Sequence, residues 1–162
     1  MNEYQFTLTF SLPGEDDDPA EYLDALYESG CEDAIVGTGA SGSVALEFVR
    51  EGKTANSVIN SAIKDVKVAI PKANLIEAKP DLVGLTDVAE MLDCSRQNIR
   101  KYMQTYHAFP PAAYSGKSSL WHLWEVAKFE KLGIPKTVAE IGRTTFKLNQ
   151  DIKQNRFASS NY

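Results

Sequence analysis

The sequence predicts an α+β fold, and three observations carry that prediction. Residues 4–12 alternate apolar and polar side chains, the period of a half-buried strand. Residues 54–70 instead repeat apolar side chains at helical spacing. Strand-like and helix-like segments follow in the order strand, helix, strand, strand, helix, strand, with a run of helical patterns after Pro80-Asp81.

Each element has a local reason. Tyr4, Phe6, Leu8, Phe10 and Leu12 share one face of the first strand; Gln5, Thr7, Thr9 and Ser11 share the other. Pro13-Gly14 and the acidic run from Glu15 to Asp18 end it. Asp18 suits a helix cap, with Pro19 at the first helical position and Glu21 three residues after the cap. Leu23, Leu26 and Tyr27 are expected to form that helix's apolar face, and Gly30 its end. Ala34-Ile35-Val36 and the alternating Val44, Leu46 and Phe48 flank a glycine-rich turn and predict a hairpin. Thr54 caps a longer helix with Ile59, Ala62, Ile63, Val66 and Ile70 on one face, and Pro71 stops it. Leu75 to Ala78 supply a last strand. This is the ferredoxin-like βαββαβ order, assigned to an N-terminal domain of residues 1–80.

Residues 81–133 are assigned to a second domain. Leu85, Val88, Ala89 and Leu92 make a short amphipathic helix, capped by Thr86. After a tight turn Ser95 caps a second helix, whose buried side is Ile99, Tyr102 and Met103. Pro110-Pro111 breaks it downstream. Tyr114 to Ser119 reads as a hairpin tip and Leu120-Trp121 as its returning strand. Trp124 to Leu132 reads as a helix with Val126 and Phe129 inside. Residues 134–162 form a C-terminal helix and tail. There Val138, Ile141, Thr145, Leu148 and Ile152 are spaced 3, 4, 3 and 4 apart, which suits a coiled-coil seam or a helix packed on its own chain. Ala158 to Tyr162 are expected to fray.

The charge is divided. The 162 residues carry a formal net charge of −5. Residues 1–80 hold 6 Lys/Arg against 14 Asp/Glu, net −8, and residues 81–162 hold 11 against 8, net +3. An acidic half and a mildly basic half predict modules with different partners. At 43% hydrophobic and 24% charged, the composition is that of a globular chain rather than a disordered one. No apolar run reaches the roughly 18 residues of a membrane span. The first ten residues lack the basic-then-apolar pattern of a secretion signal. Two cysteines, Cys31 and Cys94, stand 63 residues apart and argue against a disulfide framework. A reducing cytoplasm is the expected location.

Thr86 to Tyr102 has helix-turn-helix spacing. Ala89 is small where the two helices cross, and Ile99 lies ten residues on, against the first helix. Cys94 fills a small apolar position before the Ser95 cap, which explains it as packing. The segment Asp87-Val-Ala-Glu-Met-Leu-Asp-Cys-Ser-Arg-Gln-Asn-Ile-Arg-Lys-Tyr102 resembles the winged helix-turn-helix of MerR-type regulators and phage excisionases. The resemblance continues through Phe109-Pro110-Pro111, Gly116, Leu120-Trp121 and Glu125-Val126 to Phe129, and covers about a third of the chain. The arrangement over residues 1–133 also resembles small bacterial proteins described only as DNA-binding. The resemblance implies duplex DNA binding, and a dimer formed through a C-terminal helix.

The residues agree with it on physical grounds. Once Ile99 and Tyr102 are buried, Arg96, Gln97, Asn98, Arg100 and Lys101 face solvent. Arg, Gln and Asn make bidentate hydrogen bonds to base edges in a major groove, so Arg96, Gln97 and Asn98 are expected to read bases. Arg100 and Lys101 are expected to hold phosphates. Ser95 sits at a helix N-terminus, which favours phosphate. Lys117 at the hairpin tip reaches for adjacent backbone or minor groove; Ser118, with Ser115 and Ser119, adds neutral phosphate hydrogen bonds. Asp87, Glu90 and Asp93 are expected near this surface and oppose it. Because the basic excess is small, specific binding is expected to need a homodimer with recognition helices about one DNA turn apart. The tail helix and the N-terminal domain are the rival dimer surfaces.

Other signals carry less. Gly37-Thr-Gly-Ala-Ser-Gly42 spells G-x-G-x-x-G but is followed by a strand pattern, not the helix a dinucleotide site requires, so it reads as a hairpin turn. Asp16, Asp17 and Asp18 lack the glycine and the distal glutamate of a calcium loop. Cys31, Cys94, His107 and His122 stand 63, 13 and 15 residues apart, which is not a set of paired metal knuckles. No nucleophile elbow and no cofactor motif stands out, so no enzyme activity, cofactor or metal is expected. The acidic domain is expected to dimerise or to bind a protein partner such as a toxin or phage component, ahead of sensing an effector. Its charge keeps that half off DNA.

The functional expectation is sequence-specific double-stranded DNA binding by a transcriptional regulator, a repressor or autoregulator. The alternatives are an architectural, excisionase-like or packaging DNA-binding factor, and a protein-interaction adaptor or antitoxin-like partner-binding protein.

Overall fold

The alternation along the first strand sets the architecture. A computed structural model describes residues 1–160. Strand β1 (Asn2–Ser11) turns Tyr4, Phe6, Leu8 and Phe10 into the core, each at most 1% exposed. It pairs antiparallel with β3 (Ser43–Gly52) on one side and β4 (Asn74–Lys79) on the other. Strand β2 (Ala34–Gly37) pairs antiparallel with β3, so the sheet order is β2-β3-β1-β4. The G-x-G-x-x-G segment is the turn between β2 and β3, as its flanking alternation requires.

Helix α2 (Ala55–Ala69) lays Val58, Ile59, Ala62 and Val66 on the buried face of this sheet. Its cap is reciprocal: Thr54 Oγ1 accepts the Ser57 N–H at 3.1 Å, and Ser57 Oγ accepts the Thr54 N–H at 3.3 Å. Asp18 caps a 3-10 turn (Pro19–Tyr22) that runs into α1 (Leu23–Glu28). Here the expected apolar face fails: Leu26 is buried, but Leu23 is 40% and Tyr27 67% exposed. With only six residues behind a 3-10 turn, α1 has room for one inward side chain.

A second core follows. Strand β5 (Leu82–Val83) pairs with β6 (Trp121–His122), and α3 (Leu85–Met91), α4 (Arg96–Thr105) and α5 (Leu123–Lys128) pack around Val88, Ile99, Leu123 and Val126. Thr86 is not the cap of α3. Gly84 is, and its N–H donates to Asp87 Oδ2 at 2.8 Å. The expected helix from Trp124 to Leu132 breaks at Phe129, and Glu130–Leu132 form a separate 3-10 turn.

Helix α6 (Lys136–Ala158) joins the two cores. Its Ile141 belongs to the first, and its Val138 packs on the second. Gly142 lets it meet α5: a Cβ there would stand 2.9 Å from Leu123 Cγ. Ile141 and Thr145 are buried against this chain, and Leu148 is partly so. Of the two uses open to the heptad spacing, this part serves packing on its own chain. A buried polar group fastens the helix: Thr145 Oγ1 donates to Pro80 O at 2.6 Å, and Asn149 Nδ2 to Asp81 Oδ2 at 2.9 Å. Asp81 Oδ1 meets His122 Nδ1 at 2.9 Å. The chain stays helical to Ala158 and turns at Ser160, whose N–H reaches Phe157 O at 3.1 Å; Asn161 and Tyr162, also expected to fray, lie outside the described residues. Among the described residues no helix is long and apolar enough to cross a membrane.

Candidate nucleic-acid interface

Local chemistry builds the α3–α4 corner. The Asp93 backbone is left-handed at φ 49°, a conformation Asp tolerates better than most residues, and the Cys94 N–H closes the turn on Ala89 O at 2.9 Å. Ser95 then caps α4, its Oγ accepting the Asn98 N–H at 3.2 Å. Ile99 is fully buried and Ala89 nearly so, which lets the helices approach.

With Ile99, Tyr102, Met103 and Tyr106 turned inward, α4 presents Arg96, Gln97, Asn98, Arg100 and Lys101 to solvent. At about 100° per residue, Gln97, Lys101 and Gln104 point most directly away from the core, Arg96 and Arg100 flank them on one side, and Asn98 flanks them on the other. Asn98 and Lys101 also line a shallow groove with Tyr102, Thr105 and Tyr106. Gln104 is a residue the sequence reading passed over. Its signal was there, two turns on from Gln97.

Among the described residues these cations have no acidic partner. The charged contacts among the described residues are Arg50 with Asp33 and Asp65, Lys79 with Glu77, and His122 with Asp81. None involves Arg96, Arg100, Lys101 or Lys117. Residues 81–133 hold 6 Lys/Arg and 6 Asp/Glu, so the basic excess of the second half resides on residues 134–162. Placement matters more than that balance. Asp81 is buried. Asp87 and Glu90 line a cleft with Glu3, Gln5, Lys79 and Val138, between α3, β1 and α6. Of the three carboxylates expected to oppose phosphate, Asp93 alone sits in the turn at the start of α4.

Lys117 and Ser118 are exposed on a separate hairpin, and no hydrogen bond among the described residues joins them to α4. The hairpin is closed by paired Tyr114 and Leu120 backbones, with the Leu120 N–H donating to Tyr114 O at 2.9 Å. Its base is held by Trp121, whose Nε1–H donates to Pro110 O at 3.1 Å. A row of aromatic rings links it to the back of α4. Trp121 meets Phe109 at 6.0 Å, Phe109 meets Phe129 at 5.5 Å, and Phe129 meets Tyr106 at 5.6 Å between centroids. The first two contacts are edge-to-face and the third is tilted at 55°; such contacts favour defined ring angles, so the hairpin and α4 are set relative to one another by packed side chains.

Among the described residues there is no cluster of three His, Cys, Asp or Glu side chains arranged to hold a metal ion. Burial pushes the Cys31 thiol up, and Cys94 packs partly against the second core. Comparison of the chain with family models, with curated proteins and with solved structures finds no match.

Proposed function

We propose that this protein binds double-stranded DNA in a sequence-specific way as a transcriptional regulator, with α4 as its recognition helix. One observation carries the reading: α4 exposes five polar residues over its first two turns, three of them cations with no acidic partner among the described residues, on a short helix set at a tight turn against another. In this reading residues 1–80 are a ferredoxin-like domain and residues 81–133 a winged helix-turn-helix. Arg96, Gln97 and Asn98 read bases, joined by Gln104; Arg100, Lys101 and Lys117 hold phosphates, with Ser95 and Ser118 adding neutral contacts. A homodimer on two half-sites compensates for the few cations per copy.

The test is the salt dependence of binding to a fluorescent duplex. The variant Arg100→Ala/Lys101→Ala should lower the slope of log affinity against log salt by about 2, since each phosphate contact contributes about 0.9. An unchanged slope removes these residues from the interface.

A second reading, a protein-interaction adaptor, draws on the even balance of 6 cations and 6 anions in residues 81–133. It predicts weak binding to every duplex alike.

A further inference from the structure

The two edges of the main sheet are treated differently. At the β4 edge, α6 supplies Asn149, which accepts the Ala78 N–H at 2.9 Å and donates to Ala78 O at 2.7 Å. The other edge is β2, which pairs as a strand with β3 alone; its Ala34 N–H closes on Cys31 O at 3.1 Å, and Val36 follows it along the strand. Sheets protect free edges by keeping them short or with lysine, proline or inward charges. The β2 strand Ala-Ile-Val-Gly is short, at four residues, but carries no lysine, proline or charge.

The surroundings of β2 are apolar with an acidic rim. Ile35 is 74% exposed, and the exposed Leu23 and Tyr27 of α1 stand beside the strand. Between α1 and β2 lies a cavity of about 370 Å³, lined by Leu23, Tyr27 and Val36 together with Asp24 and Glu32. Asp24, Glu28 and Glu32 have no cationic partner among the described residues. The nearby Arg50 is engaged elsewhere, by Asp33 at 2.7 Å and Asp65 at 2.9 Å.

We propose that the β2 edge is a docking site for an extended, basic segment of a partner protein, which adds to the sheet as a fifth strand. Backbone hydrogen bonds to β2 supply the pairing, an apolar side chain enters the cavity beside Leu23 and Tyr27, and flanking Lys or Arg side chains meet Asp24 and Glu32. Charge decides the occupant. A second copy joined edge to edge would set Asp24, Glu28 and Glu32 against their own counterparts, and like charges across an interface are unfavourable. No residue of 81–133 takes part, so the proposal stands or falls apart from DNA binding.

The experiment uses the full chain, labelled for amide exchange, and a fluorescein-tagged octapeptide that carries lysine, valine and lysine on one face and threonine on the other. Two control peptides accompany it: the same sequence N-methylated along its pairing edge, and the same sequence with glutamate in place of lysine. The valine–lysine peptide should bind and slow exchange within residues 34–37 by roughly tenfold, and both controls should bind at least roughly tenfold more weakly. Asp24→Lys/Glu32→Lys, confined to exposed side chains, should weaken binding by about tenfold without moving the thermal melt. Absence of binding, equal binding of the N-methylated peptide, or protection elsewhere than residues 34–37 overturns the proposal. Concentration-dependent protection of those amides in the chain alone assigns the edge to a second copy and overturns it too.

Discussion

Asn149 makes with Ala78 the two hydrogen bonds that a neighbouring strand would make. The Ala78 N–H donates to Oδ1 at 2.9 Å, and Nδ2 donates back to Ala78 O at 2.7 Å. The same Nδ2 reaches Asp81 Oδ2 at 2.9 Å, so one side chain closes a sheet edge and steadies the start of the second core. Asn149→Leu keeps the side-chain size but leaves a buried backbone pair unmatched. It should cost about 2–3 kcal/mol in urea unfolding, the scale of buried groups left without partners. A cost within about 0.5 kcal/mol, ordinary for a surface change, would mean the contact is incidental.

Stability should fall on the alkaline side. The Tyr4 hydroxyl donates to Glu140 Oε2 at 2.8 Å, and Tyr22 donates to Asp17 Oδ2 at 3.0 Å. A phenolate facing a carboxylate is unfavourable, so these hydrogen bonds, with burial second, raise both phenols above their ordinary value of 10.0. The unfolded chain therefore releases these protons first. Their contribution is whole below about pH 10 and is lost as pH rises through the folded values. The melting temperature should drop as pH rises above about 10, more steeply for the wild type than for Tyr4→Phe. Parallel curves for the two would contradict the assignment.

Asp93 sits where the helix pair needs a left-handed residue and where DNA would not welcome a carboxylate. Its φ of 49° suits Asn as well as Asp. Asp93→Asn should preserve folding and tighten duplex binding severalfold at low salt, with the gain shrinking as salt rises. Asp93→Val should instead destabilise by about 1–2 kcal/mol, the cost of a left-handed conformation in an ordinary residue. Duplex affinity unmoved by Asp93→Asn would place the turn away from DNA.

Much of this was legible along the chain. Period-two alternation at Tyr4 to Leu12 and Val44 to Phe48 marked buried strand faces, and Ile99 with Tyr102 marked the inward side of α4, leaving its polar residues outward. What escaped had its cause at a distance or in backbone detail. Nothing near Asn149 shows that it meets Ala78, 71 residues away. The exposure of Leu23 and Tyr27 follows from a helix too short to bury both. Thr86 has the residue type of a cap, yet the backbone enters the helix two residues earlier, at Gly84. Gln104 lies outside the contiguous polar run of residues 96–101, and it joins the same face only because a helix face recurs every three to four residues.

If α4 reads duplex sequence, selection from a random duplex pool at about 150 mM salt will show it, because weak backbone attraction is screened there. The expected result is an enriched motif, arranged as two half-sites about one turn apart, that weakens for Arg96→Ala and Gln97→Ala. Retention of the pool without enrichment would contradict it and leave the adaptor reading in its place.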